Sequence, residues 1–236
     1  MKTLKHLSAS LLAACLLGCQ TERPTATPVH EQSVKPGINA EYLKPDLQVS
    51  QWVERFEKEG REVYDQRQLI VQTIGLKPGM TVADLGSGSG LFTPLLAQGV
   101  GSGGKVYAVD IVKAFLEHID RRMEAAGVRH VQTVLCTERS VELPPGSIDL
   151  AFICDVYHHF EYPQSTLASL HRALRPGGEI FLVEFKRIPG VSSEWMLNHV
   201  RAGQEVFEAE IEAAGFRKIA QHDFLKENYI VRFRKR

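Results

Sequence analysis

The chain has 236 residues, 44% of them hydrophobic and 24% charged, and its 28 basic side chains balance 28 acidic ones. That length carries one domain with a substantial core rather than two. Zero formal charge and the lack of a basic stripe interleaved with aromatics exclude a binder of the nucleic-acid backbone.

The chain opens MKTLKHLSASLLAACLLGC, Met1 to Cys19. Lys2 and Lys5 form a positive start, and the apolar run Leu7–Leu17 is far shorter than the ~20 residues of a membrane span. Leu16-Leu17-Gly18-Cys19 resembles the lipobox of bacterial lipoproteins. The resemblance implies that residues 1–18 are a signal peptide and that Cys19, diacylated on sulfur, becomes the anchored first residue. A plain secretory signal is the alternative. The expected location is therefore outside the cytosol, lipid-anchored to the bacterial membrane and facing the periplasm. Gln20–Gly37 is polar, rich in Thr and Pro and without periodicity, so residues 19–40 read as a flexible tether. The folded domain is expected over 41–236. Cys15 leaves with the signal. Cys136 and Cys154 lie in apolar strand-like runs and read as small buried hydrophobes rather than a disulfide.

From Glu41 onward the chain acquires pattern. Trp52, Val53, Phe56, Val63, Ile70 and Val71 place helix between Gln51 and Ile74, in two pieces around Gly60. LKPGM is a turn into the strand VADL, after which Leu91, Phe92, Leu95 and Leu96 line one helix face, with Pro94 in the first turn. KVYAVD is a second strand. Val112, Phe115, Leu116, Ile119 and Met123 keep helical spacing up to a cap at Gly127. HVQTVL and IDLAFICD are strands three and four. Leu167, Leu170 and Leu174 mark a helix that stops at Pro176-Gly177-Gly178, and EIFLVEF is strand five. After a helix over Val206–Ala214, FRKIAQHDFL and NYIVRFR read as a closing hairpin. Strands alternating with helices imply a doubly wound, mostly parallel sheet with helices on both faces. Ligands of such sheets bind beyond the carboxyl ends of the strands, here at Val82–Gly90.

The turn VADLGSGSG narrows the ligand. It lacks the Gly-Lys-Ser/Thr ending of a P-loop. The dinucleotide fingerprint calls for glycine at position 91, where Leu91 stands. Asp84, two residues before Gly86, would repel a pyrophosphate but attract a ligand ammonium group. Asp110 ends the second strand, where a carboxylate accepts both ribose hydroxyls. Ammonium, ribose and a close backbone approach together describe S-adenosylmethionine.

With these pieces in hand, Leu76 to Phe185 resembles a class I S-adenosylmethionine-dependent methyltransferase. The resemblance rests on VADLGSGSG, VYAVD, PPGSIDL, DVYHHF and LRPGG. It implies a Rossmann-like, seven-stranded, mostly parallel α/β sheet with a reversed last strand. It also implies that strands three and four are not neighbours. Asp84, Gly86, Ser87, Gly88 and Gly90 are then the cofactor turn, and Asp110 with Ile111 holds ribose and adenine. Thr137 and Glu138 follow strand three near the adenine amino group, and Asp155 meets the methionine moiety. DVYHHF offers Tyr157, His158 and His159 as base or orienting groups; the alternative is that one or both imidazoles cap the next helix. Arg61, Tyr64, His199 and Arg201, in segments flanking the core, are the candidates to touch substrate. A metal site from His158, His159 and Glu184 has no support in spacing, so no metal is expected.

The reading is thus a lipid-anchored methyltransferase acting on a small molecule or a periplasmic acceptor. The alternative is an exported binding lipoprotein that keeps the cofactor fold without turnover. A nicotinamide oxidoreductase comes third, disfavoured by Leu91 and Asp84. One tension stands: the cofactor is cytosolic and the leader directs export.

Overall fold

A computed structural model describes residues 31–236. The expected signal segment, Cys19 and the first part of the expected tether lie outside them. In chain order come helices α1 (Val49–Phe56), α2 (Glu62–Asp65) and α3 (Arg67–Ile74), then strand β1 (Thr81–Leu85) and α4 (Thr93–Val100). They are followed by β2 (Lys105–Asp110), α5 (Lys113–Ala125), β3 (Val131–Leu135), β4 (Ile148–Cys154) and a 3₁₀ turn over Tyr157–His159. Next are α6 (Pro163–Ala173), β5 (Leu174–Phe185), α7 (Glu194–His199), α8 (Gln204–Ala213), β6 (Phe216–His222) and β7 (Asn228–Lys235).

The strands form one seven-stranded sheet in the order β3-β2-β1-β4-β5-β7-β6. β1 to β5 run parallel, and β7 is antiparallel to both β5 and β6. This is the expected doubly wound architecture with its reversed last strand. Strand order reverses at β1, between β2 and β4, so the β1 turn opens at the switch point of the sheet.

Central strands read as continuous apolar runs because both their faces are covered. Ala83, Leu85, Ala151, Ile153, Ile180 and Leu182 face α6 and α8 through Leu167, Leu170, Phe207 and Ile211. Val82, Val106, Leu150, Phe152, Phe181 and Val183 face α3 and α4 through Ile70, Ile74, Leu96 and Val100. α5 covers Ala108 with Ile119 and Met123. Cys136 packs into the first of these clusters and Cys154 into the second; both are free thiols.

Three local expectations need correction. The helical stretch before β1 has three pieces rather than two, because the chain turns again at Gln66 between α2 and α3. Leu174 is not the end of α6: it pairs with Ile148 as the first residue of β5, ahead of a register shift. Pro176 drives its predecessor out of the helical region, and the helix stops early. Residues 31–40, read from composition as tether, pack onto the domain. Glu31 carboxylate oxygens accept from the Gln164 and Ser165 amides, Val34 N–H donates to the Glu161 carbonyl, and Asn39 is buried. A few polar side chains with specific partners hold this segment, and no hydrophobic period announces them.

Candidate active site

A cavity of about 590 Å³ lies over the carboxyl ends of β1, β2 and β4, a size that suits a small organic ligand. The β1 turn forms its floor. Gly86 and Ser87 both donate their N–H to the Val109 carbonyl, which folds the turn across β2. Gly86 has φ 67°, and a Cβ there would stand 2.3 Å from Val156 Cγ1, so only glycine fits. Gly90, at φ 77°, holds the end of the turn against Ile119 and does not face the cavity. Two buried hydroxyls of this turn, Ser87 Oγ and Ser89 Oγ, have no partner among the described residues. Buried polar groups of this kind suit a polar ligand that approaches the backbone closely.

The two acids flank that floor. Asp84 is buried at the end of β1 and accepts from Thr93 Oγ1 at 2.6 Å. Burial pushes its carboxyl up to about 7, against the pull of the Thr93 hydroxyl. Asp110 accepts from the Gly88 N–H at 2.9 Å and the Val112 N–H at 2.8 Å, one on each oxygen. Burial raises it to about 6 in spite of those donors. Each oxygen keeps a lone pair for a ligand hydroxyl. Ile111, Thr137 and Glu138 line the adjoining wall, and Glu138 accepts weakly from Asn39 Nδ2 at 3.4 Å.

These pKa shifts set a pH dependence. A cationic ligand favours the ionised acids, so its binding must release the protons that Asp84 and Asp110 carry in the free protein. Affinity for S-adenosylhomocysteine, with its ammonium and ribose, is expected to be flat above about pH 8. It should fall as pH drops through 7 and 6, approaching tenfold per pH unit for each acid that must ionise. Calorimetry at several pH values checks this.

Asp155 follows β4 at φ 53°, a left-handed backbone that leaves its side chain between two partners. Arg61 Nη2 donates to Oδ2 at 2.7 Å and Asn228 Nδ2 to Oδ1 at 2.6 Å. Asp155 lines the cavity, yet its carboxylate is committed to the protein. The Arg61 guanidinium, held also by the Phe56 carbonyl, sits over the Phe56 ring and ties α1 to the sheet.

Past Asp155 the 3₁₀ turn sends consecutive side chains in different directions. Tyr157 points into the core beside Phe160 and Phe207, and its hydroxyl donates to Glu210 Oε2 at 2.9 Å. It does not reach the cavity, which corrects its expected role as a base. Arg201, expected at the substrate, forms a two-pronged pair with the same Glu210 at 2.8 and 2.6 Å. Tyr64 packs against the α3–α4 side of the core with Arg67 over its ring. Neither Arg201 nor Tyr64 lines the cavity.

His158 and His159 do line it, and His199 at the end of α7 joins them. His158 Nδ1 lies 2.9 Å from both oxygens of Glu184, which is fully buried on β5. Those oxygens also accept the Phe185 and His158 backbone N–H groups, so the carboxylate acts as acceptor and His158 carries its proton on Nδ1. His158 Nε2 then points at His199 Nε2, 3.1 Å away. Burial pushes all three imidazoles far below their ordinary 6.5, to about 3 for His158, about 2 for His159 and about 4 for His199. The rings are neutral across the physiological range.

Several residues of the site carried no signal in the sequence. Asn39 bonds the His159 carbonyl, Tyr42 lies edge-on to the His159 ring, and Trp195 stacks on His199 with centroids 4.6 Å apart. Lys35 Nζ donates to the carbonyls of Asn198 and His199. Trp52 against Tyr42 was legible only as a helix-face aromatic.

Known proteins share this arrangement. Residues 83–182 match the family model described as a methyltransferase domain. A ubiquinone biosynthesis O-methyltransferase from Pseudomonas paraeruginosa is 29% identical over 154 residues, or 64% of this chain and 65% of the relative. The chain thus matches somewhat under two thirds of that protein's length. A ubiquinone/menaquinone biosynthesis C-methyltransferase from Cupriavidus taiwanensis is 24% identical over 122 residues, covering 52% of this chain and 50% of its own. Among solved structures, a SAM-dependent methyltransferase from Aquifex aeolicus superposes with a TM-score of 0.71 at 24% identity, over 80% of this chain and 98% of its own. The [4+2]-cyclase SpnF superposes with a TM-score of 0.65 at 16% identity, over 88% of this chain and 97% of its own. Sheet order, glycine turn and strand-end acids agree with these matches: residues 83–182 are similar to a methyltransferase domain, and the seven-stranded sheet has the Rossmann-like methyltransferase fold.

Proposed function

We propose that the protein transfers a methyl group from S-adenosylmethionine to a hydroxyl of a small, largely apolar acceptor, at a membrane surface outside the cytosol. The observation that carries this reading is the meeting, in one cavity, of the glycine–acid cradle with a cluster of neutral imidazoles. Asp84, Asp110, Ser87 and the Gly86–Gly88 backbone hold the adenosyl and amino-acid parts, and Glu138 and Thr137 border the base. S-adenosylmethionine supplies an electrophilic methyl on its sulfonium. The chain's own part is to exclude water, with Tyr42, Phe56 and Trp195 over the opening, and to orient the acceptor by hydrogen bonds to imidazole nitrogen. Ile188, Val191 and Trp195 are exposed at the rim, which suits an apolar ring. The O-methyltransferase name of the Pseudomonas relative agrees with an oxygen acceptor, whereas the Cupriavidus relative is named a C-methyltransferase. Transfer of labelled methyl from S-adenosylmethionine to a panel of catechols and hydroquinones tests the reading. Cofactor binding without transfer to any of them favours the non-catalytic binding lipoprotein.

His158→Ala and His159→Ala are expected to leave S-adenosylhomocysteine binding nearly intact. At least one should lower turnover by the ~10²–10⁴ that a positioned polar group at the reacting centre supplies. Full turnover in both would make the imidazoles structural.

Anchoring belongs to the same proposal. Cys19→Ser is expected to move the protein from the membrane fraction to the soluble one. A variant that fractionates like the parent would remove the lipid anchor from the account.

A further inference from the structure

We infer that His158, His159 and His199 form a binding site for one divalent transition-metal cation, zinc being the type case, in the wall of the cavity. One ring nitrogen from each of the three lies within 4.8 Å of the others. Around a tetrahedral zinc with bonds of about 2.05 Å, ligand nitrogens stand about 3.3 Å apart. The 3.1 Å between His158 Nε2 and His199 Nε2 already approaches that spacing.

Three further features distinguish the cluster from imidazoles that merely pack. First, Glu184 accepts the hydrogen bond from His158 Nδ1–H, which leaves the Nε2 lone pair directed at the cluster. A buried carboxylate behind a ligating imidazole fixes tautomer and orientation, and its negative charge offsets that of the ion. Second, His159 Nδ1 is buried without a partner among the described residues. An unsatisfied buried nitrogen costs about 1–3 kcal/mol, a cost that a ligand or ion bound at Nδ1 would remove. Third, the rings are already held. Trp195 stacks on His199, Tyr42 sits edge-on to His159, and Lys35 fixes the carbonyl end of α7. Neutral imidazole nitrogens with no thiolate or carboxylate in the first set favour borderline cations such as Zn²⁺, Co²⁺, Ni²⁺ or Fe²⁺ over Mg²⁺ or Ca²⁺.

Three protein ligands leave at least one position open, and the cluster borders the cavity. Resting on the methyl-transfer reading, that position would hold the acceptor's oxygen in the metal-bound protein, in place of direct hydrogen bonds to the imidazole nitrogens. The site itself does not depend on that reading.

The test uses the full chain, stripped with a chelator and titrated with Co²⁺ and Zn²⁺ while S-adenosylhomocysteine binding is followed separately. One equivalent should bind, giving the visible d–d bands of low-coordinate Co²⁺ without a thiolate charge-transfer band. His159→Ala and His199→Ala should each weaken binding at least about a hundredfold, and Glu184→Gln about ten- to a hundredfold. His199 is only half-buried, so its loss is compatible with folding, and unchanged S-adenosylhomocysteine affinity verifies that. No stoichiometric Co²⁺ binding, or bands that survive the His159→Ala/His199→Ala double substitution, overturns the site. Metal binding in a protein that ignores S-adenosylhomocysteine supports the site while overturning the methyl-transfer reading.

Discussion

Asp110→Ala is expected to weaken S-adenosylhomocysteine binding by roughly ten- to a hundredfold. A charge-assisted hydrogen bond to a ribose hydroxyl contributes about 1.5–3 kcal/mol, and 1.4 kcal/mol corresponds to a factor of ten. The substitution also strips the Gly88 and Val112 amides of their acceptor, so the cradle loses support together with its ligand contact. Asp110→Asn separates the two effects: an amide oxygen still accepts hydrogen bonds but carries no charge, and the loss should be intermediate. Calorimetry reads both variants. Unchanged affinity in Asp110→Ala would remove this residue from the cofactor site.

Gly86→Ala should be severe for a different reason. The added Cβ would meet Val156 Cγ1 at 2.3 Å and Cγ2 at 2.6 Å, at a backbone of φ 67°. Overpacking costs about 1–3 kcal/mol and a left-handed backbone with a side chain about 1–2 kcal/mol. The expected loss of stability is roughly 2–5 kcal/mol, a fall in Tm on the order of 5–15 °C for a domain of this size. Cofactor binding should weaken as well. Combining it with Val156→Ala removes the two nearest atoms but leaves the backbone strained, so thermal denaturation should show partial recovery. A Gly86→Ala protein with the parent's Tm would mean that the turn does not approach Val156 as described.

The alternation of apolar strands and helical faces made the sheet legible, and the rule for ligands at the switch point placed the cavity at the β1 turn. Asp84 and Asp110 were readable because each ends a buried strand, where a lone acid has few structural uses. DVYHHF was readable only as a group. On a turn of three residues, neighbours diverge by about 120°, and composition does not say which of Tyr157, His158 and His159 faces the core. Glu210 decided two roles at once, since it takes both Tyr157 and Arg201, and its position on α8 carries no local mark. Glu184 was weighed in the sequence only as a metal ligand beside His158 and His159, without support in spacing; the packing of β5 against the 3₁₀ turn brings it to His158 as a hydrogen-bond acceptor. The segment 31–40 was misread because polarity was taken as absence of structure. Its hold on the domain comes from Glu31, Lys35 and Asn39, single side chains each satisfying a specific backbone or side-chain group.

The central claim is that this cavity is built for an adenosyl sulfonium rather than a dinucleotide. Titration calorimetry of the unmodified protein with S-adenosylhomocysteine, and separately with NAD at the same concentrations, tests it most directly. The account predicts one-to-one binding of S-adenosylhomocysteine at micromolar affinity or better near pH 8, with no measurable heat from NAD. Tighter binding of NAD, or no binding of S-adenosylhomocysteine by the folded protein, would contradict it.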